Sequence, residues 1–359
     1  MDLLLSEEQR LLQDSVAGTL TALGGVKRAR GLRETGAGFS RDVHRQLAGE
    51  GWLGILVPQE AGGLGLGSIE LALVMQEAGR HLAPEPVATA ALTAMALADC
   101  KSPWAASICD AAVAGDLIVV PGFSGHRLGV AAHTGVTASV QQKAMRLSGV
   151  VRAVSHAASA DGFLIEEQTG DLFFVEKGAD GLSVAEAATV DGRGLGTITL
   201  AQTPARALGV GTVRADRLFD LSLLMASAEL VGVMNAALDM TVEYLKTRTQ
   251  FGRPIGSFQA LQHRAVDDFT RIVSSRSLLF QALGQGDRVT SAMAAAVKSH
   301  VSGEALIVTK SAIQMHGAIG FTDDHDIGLY MKRAMWLSAS LGNAAVHRRR
   351  YAALSPSTP

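Results

Sequence analysis

The chain has 359 residues and a mass of 37.4 kDa, more than one compact core usually covers, so two or three packed modules are expected. Hydrophobic residues make up 48% and charged residues 18%, enough to bury a large core and incompatible with a disordered chain. A net charge of −2 leaves no basic field to hold nucleic acid or an anionic membrane surface.

From Ser6 to Leu97 apolar residues recur at helical spacing, and Ser6 followed by Glu7 and Glu8 reads as a hydroxyl cap with an acidic first turn. The longest apolar stretch, Val87 to Ala98, is too short to cross a bilayer, so no membrane association is expected. No basic leader or small-residue cleavage site opens the chain, which makes the cytoplasm the default location. Pro58 to Gly67 is too rich in glycine for a helix and reads as an ordered turn. It is not a P-loop, because no Lys-Ser/Thr pair or βαβ pattern accompanies it. Cys100 and Cys109 match neither a zinc nor a redox spacing, and the ten histidines form no cluster on one helix face, so no metal is expected.

Between Leu117 and Leu208 the character changes to short β-prone runs, among them Leu117–Val120, Ala160–Ile165, Leu172–Val175 and Thr197–Leu200, which predict a small antiparallel sheet. Helical periodicity returns from Val213, through Leu221 to Lys246, Phe258 to Leu283, Thr290 to Met315 and Ile327 to Tyr351, and predicts a four-helix bundle. The expected fold class is therefore α+β, mainly α: a helical domain over 1–115, a small β domain over 116–212 and a helical bundle over 213–359. Asp323 to Asp326 reads as an acidic helix start rather than a metal site, and His316 as a packed helix-end residue. Lys332-Arg333 and His347 to Arg350 read as basic turns facing solvent or an interface.

Arg248-Thr249-Gln250-Phe251-Gly252-Arg253-Pro254-Ile255-Gly256-Ser257-Phe258-Gln259 resembles the flavin-binding signature of acyl-CoA dehydrogenases, and Gln314-Met315-His316-Gly317-Ala318-Ile319-Gly320 resembles their Gln-x-x-Gly-Gly-x-Gly segment. Gly51 to Pro58 and Glu77 to Arg80 are also similar to that family, so the resemblance covers nearly the whole chain. It implies FAD as cofactor, held by Arg248, Gln250, Phe251, Phe258 and Gln259 from the first block and by Gln314, Gly317 and Ala318 from the second. An arginine fork suits the pyrophosphate, and glycines let main chain approach a ligand closely. Ala318 stands where the family has a second glycine. The resemblance also implies a fold with an N-terminal helical domain, a middle β domain and a C-terminal helical bundle.

The family's chemistry needs a carboxylate to take a proton α to the thioester carbonyl. The two positions where members usually carry it correspond here to Leu341 and Ser222, and neither is a base. The nearest carboxylates in sequence are Asp220 and Glu229. The segments expected to cradle the flavin ring correspond to Val120–Gly125 and Arg152–His156, which lack the family's hydroxyl-rich and Trp-bearing pattern. In this family one subunit supplies ring cradle and base while its neighbour reaches across with the two FAD-gripping blocks. Keeping the blocks and losing the base is the pattern of a companion subunit, paired with a catalytic acyl-CoA dehydrogenase subunit in a heterotetramer of two copies of each, acting on a bulky acyl-CoA. Two other readings stay open: a homotetramer with Asp220 or Glu229 as a relocated base, and a fold-only descendant that binds no flavin.

Overall fold

A computed structural model describes residues 5–129, 135–141, 144–209 and 211–355. Six helices come first: α1 (Glu7–Ala22), α2 (Gly25–Thr35), α3 (Arg41–Gly49), α4 (Ser68–Arg80), α5 (Val87–Ala98) and α6 (Pro103–Val113). The Ser6 side chain accepts from the Gln9 amide at 3.2 Å while Gln9 Oε1 accepts from the Ser6 amide at 3.1 Å, a reciprocal cap that fixes where α1 starts. The Gly-rich segment contains a short 3-10 helix (Gln59–Ala61) and a turn leading into α4, with Leu64 and Leu66 bonded back to the carbonyls of Gly54 and Ile55.

The middle of the chain forms one sheet of seven strands: β1 (Val119–Gly122), β2 (Thr137–Gln141), β3 (Ala144–Ser155), β4 (Gly162–Glu166), β5 (Leu172–Glu176), β6 (Leu182–Ala187) and β7 (Leu195–Ala207). The order is β1-β4-β5-β7-β3-β2, with β6 also paired to β7. The expectation of a purely antiparallel sheet is corrected at one edge, where β1 runs parallel to β4. The β2–β3 hairpin lies between these two strands in sequence, so no tight turn forces them antiparallel. Phe163, Val175 and Ile198 sit in a core of the sheet's own, separate from the larger helical core.

Five helices follow: α7 (Ala215–Thr247), α8 (Gln259–Leu283), α9 (Ser291–His316), α10 (Ile327–Ala339) and α11 (Ala344–Leu354). The last two were expected as one. Ser340-Leu341-Gly342-Asn343 breaks them, because Leu341 and Gly342 take left-handed backbone (φ 57° and 93°) and Asn343 caps α11 through the amides of Ala345 and Val346. The apolar stretch of greatest length is α7, not Val87–Ala98. By length and composition α7 could cross a membrane, but 78% of its most apolar window is buried in the protein, as befits a central core helix. It crosses α4 at two glycines. A Cβ on Gly232 would lie 1.8 Å from the Gln76 carbonyl oxygen, and one on Gly79 would lie 2.1 Å from that of Glu229. That close crossing brings Glu229 beside the chain that leaves α4.

Candidate functional site

The structure gathers Ser222, Glu229 and Leu341, singled out in the search for the missing base, around one cavity of about 100 Å³. Ser222 and Glu229 reach it from α7, Leu341 from the α10–α11 turn, Phe123 from the end of β1, and Arg152 to His156 from the end of β3. The broken helix is what delivers Leu341, since a continuous α10–α11 would have no turn here. Ser222 Oγ donates to the Leu218 carbonyl of its own helix at 2.8 Å, which leaves it no partner that could activate it. Leu341 contributes hydrocarbon only. Asp220 does not face this cavity: its carboxylate takes bonds from Arg350 (2.8 Å) and Ser291. Burial pushes that carboxyl above the usual range even against these donors.

Glu229 does border the cavity, but two guanidinium groups hold it. Arg333 Nη1 donates to Glu229 Oε1 at 2.6 Å and Arg193 Nη1 donates at 3.1 Å. Asp191 completes the set, 2.8 Å from Arg193 Nε and 3.0 Å from Arg333 Nε. Arg333 also donates to the carbonyls of Leu82 and Ala83. Burial would raise the Asp191 carboxyl, and the charges of Arg193 and Arg333 outweigh it and hold the group below its ordinary value. Two positive and two negative charges thus cancel inside the protein, where a lone charge would be costly.

The expectation that Arg333 faces solvent or an interface is corrected here, because its side chain is buried in this quartet. The signal was present in the sequence. Ile327, Tyr330, Ala334 and Leu337 form the apolar stripe of α10, and Arg333 falls within it at helical spacing. Asp191 and Arg193 carried no such signal, since they sit in a loop between β6 and β7. Asp323 and Asp326 were expected to open α10. Asp326 stands at its N-cap without a side-chain cap bond and pairs instead with Arg30 (2.6 Å), while Asp323 pairs with Lys332 (3.0 Å). Among the described residues no group of three or more His, Cys, Asp or Glu could hold a metal.

The two blocks expected to grip a flavin lie elsewhere, on the surface. Helix α7 stops at Thr247, and Arg248 caps it with extended backbone. Thr249–Gln250 then pairs with Arg253–Pro254 as a two-strand ribbon, and Phe251 and Gly252 form its tip with φ of 54° and 76°. Two successive positive φ values make a type I′ turn, which suits a two-residue hairpin. The Phe251 ring is 90% exposed, with its edge toward Phe258 at 6.1 Å, and the Arg253 guanidinium lies 4.2 Å above the Phe258 ring. Arg248, Gln250 and Gln259 are exposed, and the Arg248 side chain has no hydrogen-bond or ion-pair partner among the described residues.

Gln314 is exposed in the last turn of α9. Gly317 follows with φ 67° and opens a 3-10 turn to Phe321 that displays Gly317 and Ala318 to solvent. Ala318 is not among the residues with positive φ, so an alanine meets no strain in the place of the family's second glycine. The described ribbon and turn therefore offer a free guanidinium, carboxamides, an exposed aromatic ring and accessible main chain, a set that suits a dinucleotide with a diphosphate.

Comparisons with known proteins identify the family. The acyl-CoA dehydrogenase N-terminal domain matches residues 6–100 and the acyl-CoA dehydrogenase C-terminal domain matches residues 209–354. Acyl-CoA dehydrogenase FadE27 of Mycobacterium tuberculosis is 30% identical, over 100% of both chains. Among solved structures, the Tcur3481–Tcur3483 steroid ACAD superimposes with a TM-score of 0.89 at 30% identity, covering 97% of each chain. The ChsE4–ChsE5 complex from Mycobacterium tuberculosis does so with 0.89 at 29%, covering 100% of each. The chain belongs to the acyl-CoA dehydrogenase family, oxidoreductases that act on the CH–CH bond of acyl-CoA thioesters.

Proposed function

We propose that this chain is the companion subunit of an FAD-dependent acyl-CoA dehydrogenase, lending its FAD-gripping surface to a catalytic partner. The carrying observation is the contrast, among the described residues, between an exposed grip with an unpaired Arg248 and a cavity without an available base. That cavity, at about 100 Å³, is also well below the roughly 300–1,000 Å³ of sites that enclose cofactors and substrates.

The Arg248 guanidinium would take the diphosphate of FAD with Gln250 beside it, Phe251 and Phe258 would flank the dinucleotide, and Gln259 would add a carboxamide. Gln314 with the main chain of Gly317 and Ala318 would meet the adenosine half. Bound FAD supplies the hydride acceptor for α,β-dehydrogenation of the acyl-CoA. This chain's residues hold and orient; the carboxylate that removes the α proton belongs to the partner. Helix α8 offers a surface for that partner: Val266, Phe269 and Val273 are all exposed on it, an apolar face larger than a lone surface residue needs. A heterotetramer of two copies of each subunit, working in the cytoplasm, is the assembly this reading expects. The steroid-degrading and two-component character of the similar structures favours a bulky acyl-CoA as substrate.

The self-sufficient homotetramer is the weaker reading, because Asp220 is bonded to Ser291 and Arg350 away from the cavity and Glu229 is neutralised by two arginines. The deciding experiment is expression of this chain alone and together with the product of an adjacent dehydrogenase-like gene, recording flavin absorbance and mass of each species. A colourless product alone and a yellow tetramer with the partner are expected. A yellow homotetramer reduced by acyl-CoA would overturn the proposal.

A further inference from the structure

The two FAD-gripping blocks sit at the ends of different helices, and no hydrogen bond joins one block to the other among the described residues. A ligand that spans both requires their separation to be fixed, since a shift of about 1 Å in a positioned group costs heavily in affinity or rate. An aromatic contact links the two helix ends. Tyr244, on the last turns of α7, stacks on His316, the final residue of α9, with ring centroids 4.6 Å apart and planes 25° from parallel. His325 closes the cluster, 4.6 Å from His316 and edge-on to Tyr244 at 6.2 Å.

Each stacked residue is tied directly to a grip. The Tyr244 carbonyl accepts the Arg248 amide at 2.9 Å, so the tyrosine's backbone fixes where the ribbon leaves the helix. His316 stands between Gln314 and Gly317, and the Gly317 amide bonds back to the Gln314 carbonyl around it. The imidazole itself is buried, only 2% exposed. Its Nδ1–H donates to the Ala312 carbonyl at 2.8 Å, because a carbonyl oxygen can only accept, and Nε2 has no partner among the described residues. Neither nitrogen is aimed at a proton-transfer partner, which leaves the flat face as the working part of the ring.

We infer that His316 is a positioning residue for the donated FAD site: its stack on Tyr244 sets the spacing between the Arg248 block and the Gln314 block. The inference rests on the companion reading. It gives the histidine a role through shape, so an aromatic ring of the same footprint will serve and a small side chain will not.

The test is FAD titration of the apo complex with its catalytic partner, followed by flavin fluorescence, with the mass of each complex recorded. His316→Ala is expected to weaken FAD binding tenfold or more in a complex of unchanged mass, while His316→Phe stays within threefold of the unaltered protein. Tyr244→Leu, made on the opposite helix, is expected to match His316→Ala, and the two together to be no more than about twofold worse than either alone, because both remove one stack. Tyr244→Leu carries the test if His316→Ala does not fold. Full affinity in either variant, or a loss in His316→Phe as large as in His316→Ala, overturns the inference while leaving the companion reading intact. An unaltered complex that takes up no FAD overturns the companion reading and this inference with it.

Discussion

The buried charges beside the cavity and the surface ribbon treat charge in opposite ways. Beside the cavity the buried charges are matched, Glu229 and Asp191 with Arg193 and Arg333, and away from it Asp220 is matched with Arg350. At the ribbon Arg248 is left unmatched in solvent and Phe251 is almost wholly exposed. Removing one member of a matched set of buried charges is expensive, because it leaves the other uncompensated. An unmatched surface arginine adds little to stability, and an exposed aromatic ring loses the hydrophobic gain of burial. Charge beside the cavity is thus tied up within the fold, whereas the ribbon presents its groups to solvent.

The largest expected effect lies in the buried region and needs no mutation. His156, on the cavity wall, is lowered to about 3 by burial, and His44 and His347 are each lowered to about 4 for the same reason. Their native state binds fewer protons than the unfolded chain between those values and about 6.5, so stability falls as pH drops through that window. From pH 7 to pH 5 each histidine costs roughly 2 kcal/mol and the three together roughly 6 kcal/mol. Urea unfolding of this chain at the two pH values measures it. A flat profile would mean these rings are open to water.

Next comes Arg333→Ala, which leaves Glu229 with one guanidinium and Asp191 with one in a buried setting. A loss of about 3–5 kcal/mol is expected in the same unfolding assay. A loss under about 1 kcal/mol would place the quartet in solvent and reopen Glu229 as a base. Arg248→Ala should do the reverse. Stability should change by less than about 0.5 kcal/mol, while FAD affinity of the complex falls at least tenfold, about 1.4 kcal/mol. Full flavin occupancy in that variant would count against the donated grip.

The three-part architecture was legible because periodicity switches from helical to strand-like and back, and each switch is long enough to survive local exceptions. Smaller features escaped for physical reasons. The break before Asn343 hid inside a helical pattern because Leu341 adopts left-handed backbone, which a leucine does not advertise. The parallel β1–β4 pair depends on long-range connection order rather than on any strand's own pattern. At the surface, the Arg248 and Gln314 blocks were readable because each is local in sequence, an arginine fork and a glycine turn with recognisable spacing. The quartet was not. Its members come from three separate stretches, and of the four only Arg333 betrays itself, as a charge on an apolar stripe.

The smallest expected effect is the sharpest on function: Leu341→Glu puts a carboxylate where many relatives in the family carry their base, and should produce no dehydrogenation by this chain alone. A base is only one requirement. The cavity holds about 100 Å³, Phe123 and Trp336 occupy its wall, and Arg193 and Arg333 are already committed to Asp191 and Glu229. Reduction of added FAD on mixing with acyl-CoA, followed by loss of flavin absorbance, is the measurement. No bleaching is expected from either the unaltered chain or the variant. Bleaching by the variant alone would show that one side chain separates this subunit from a self-sufficient enzyme, and that the cavity opens wide enough in solution to admit both flavin ring and thioester.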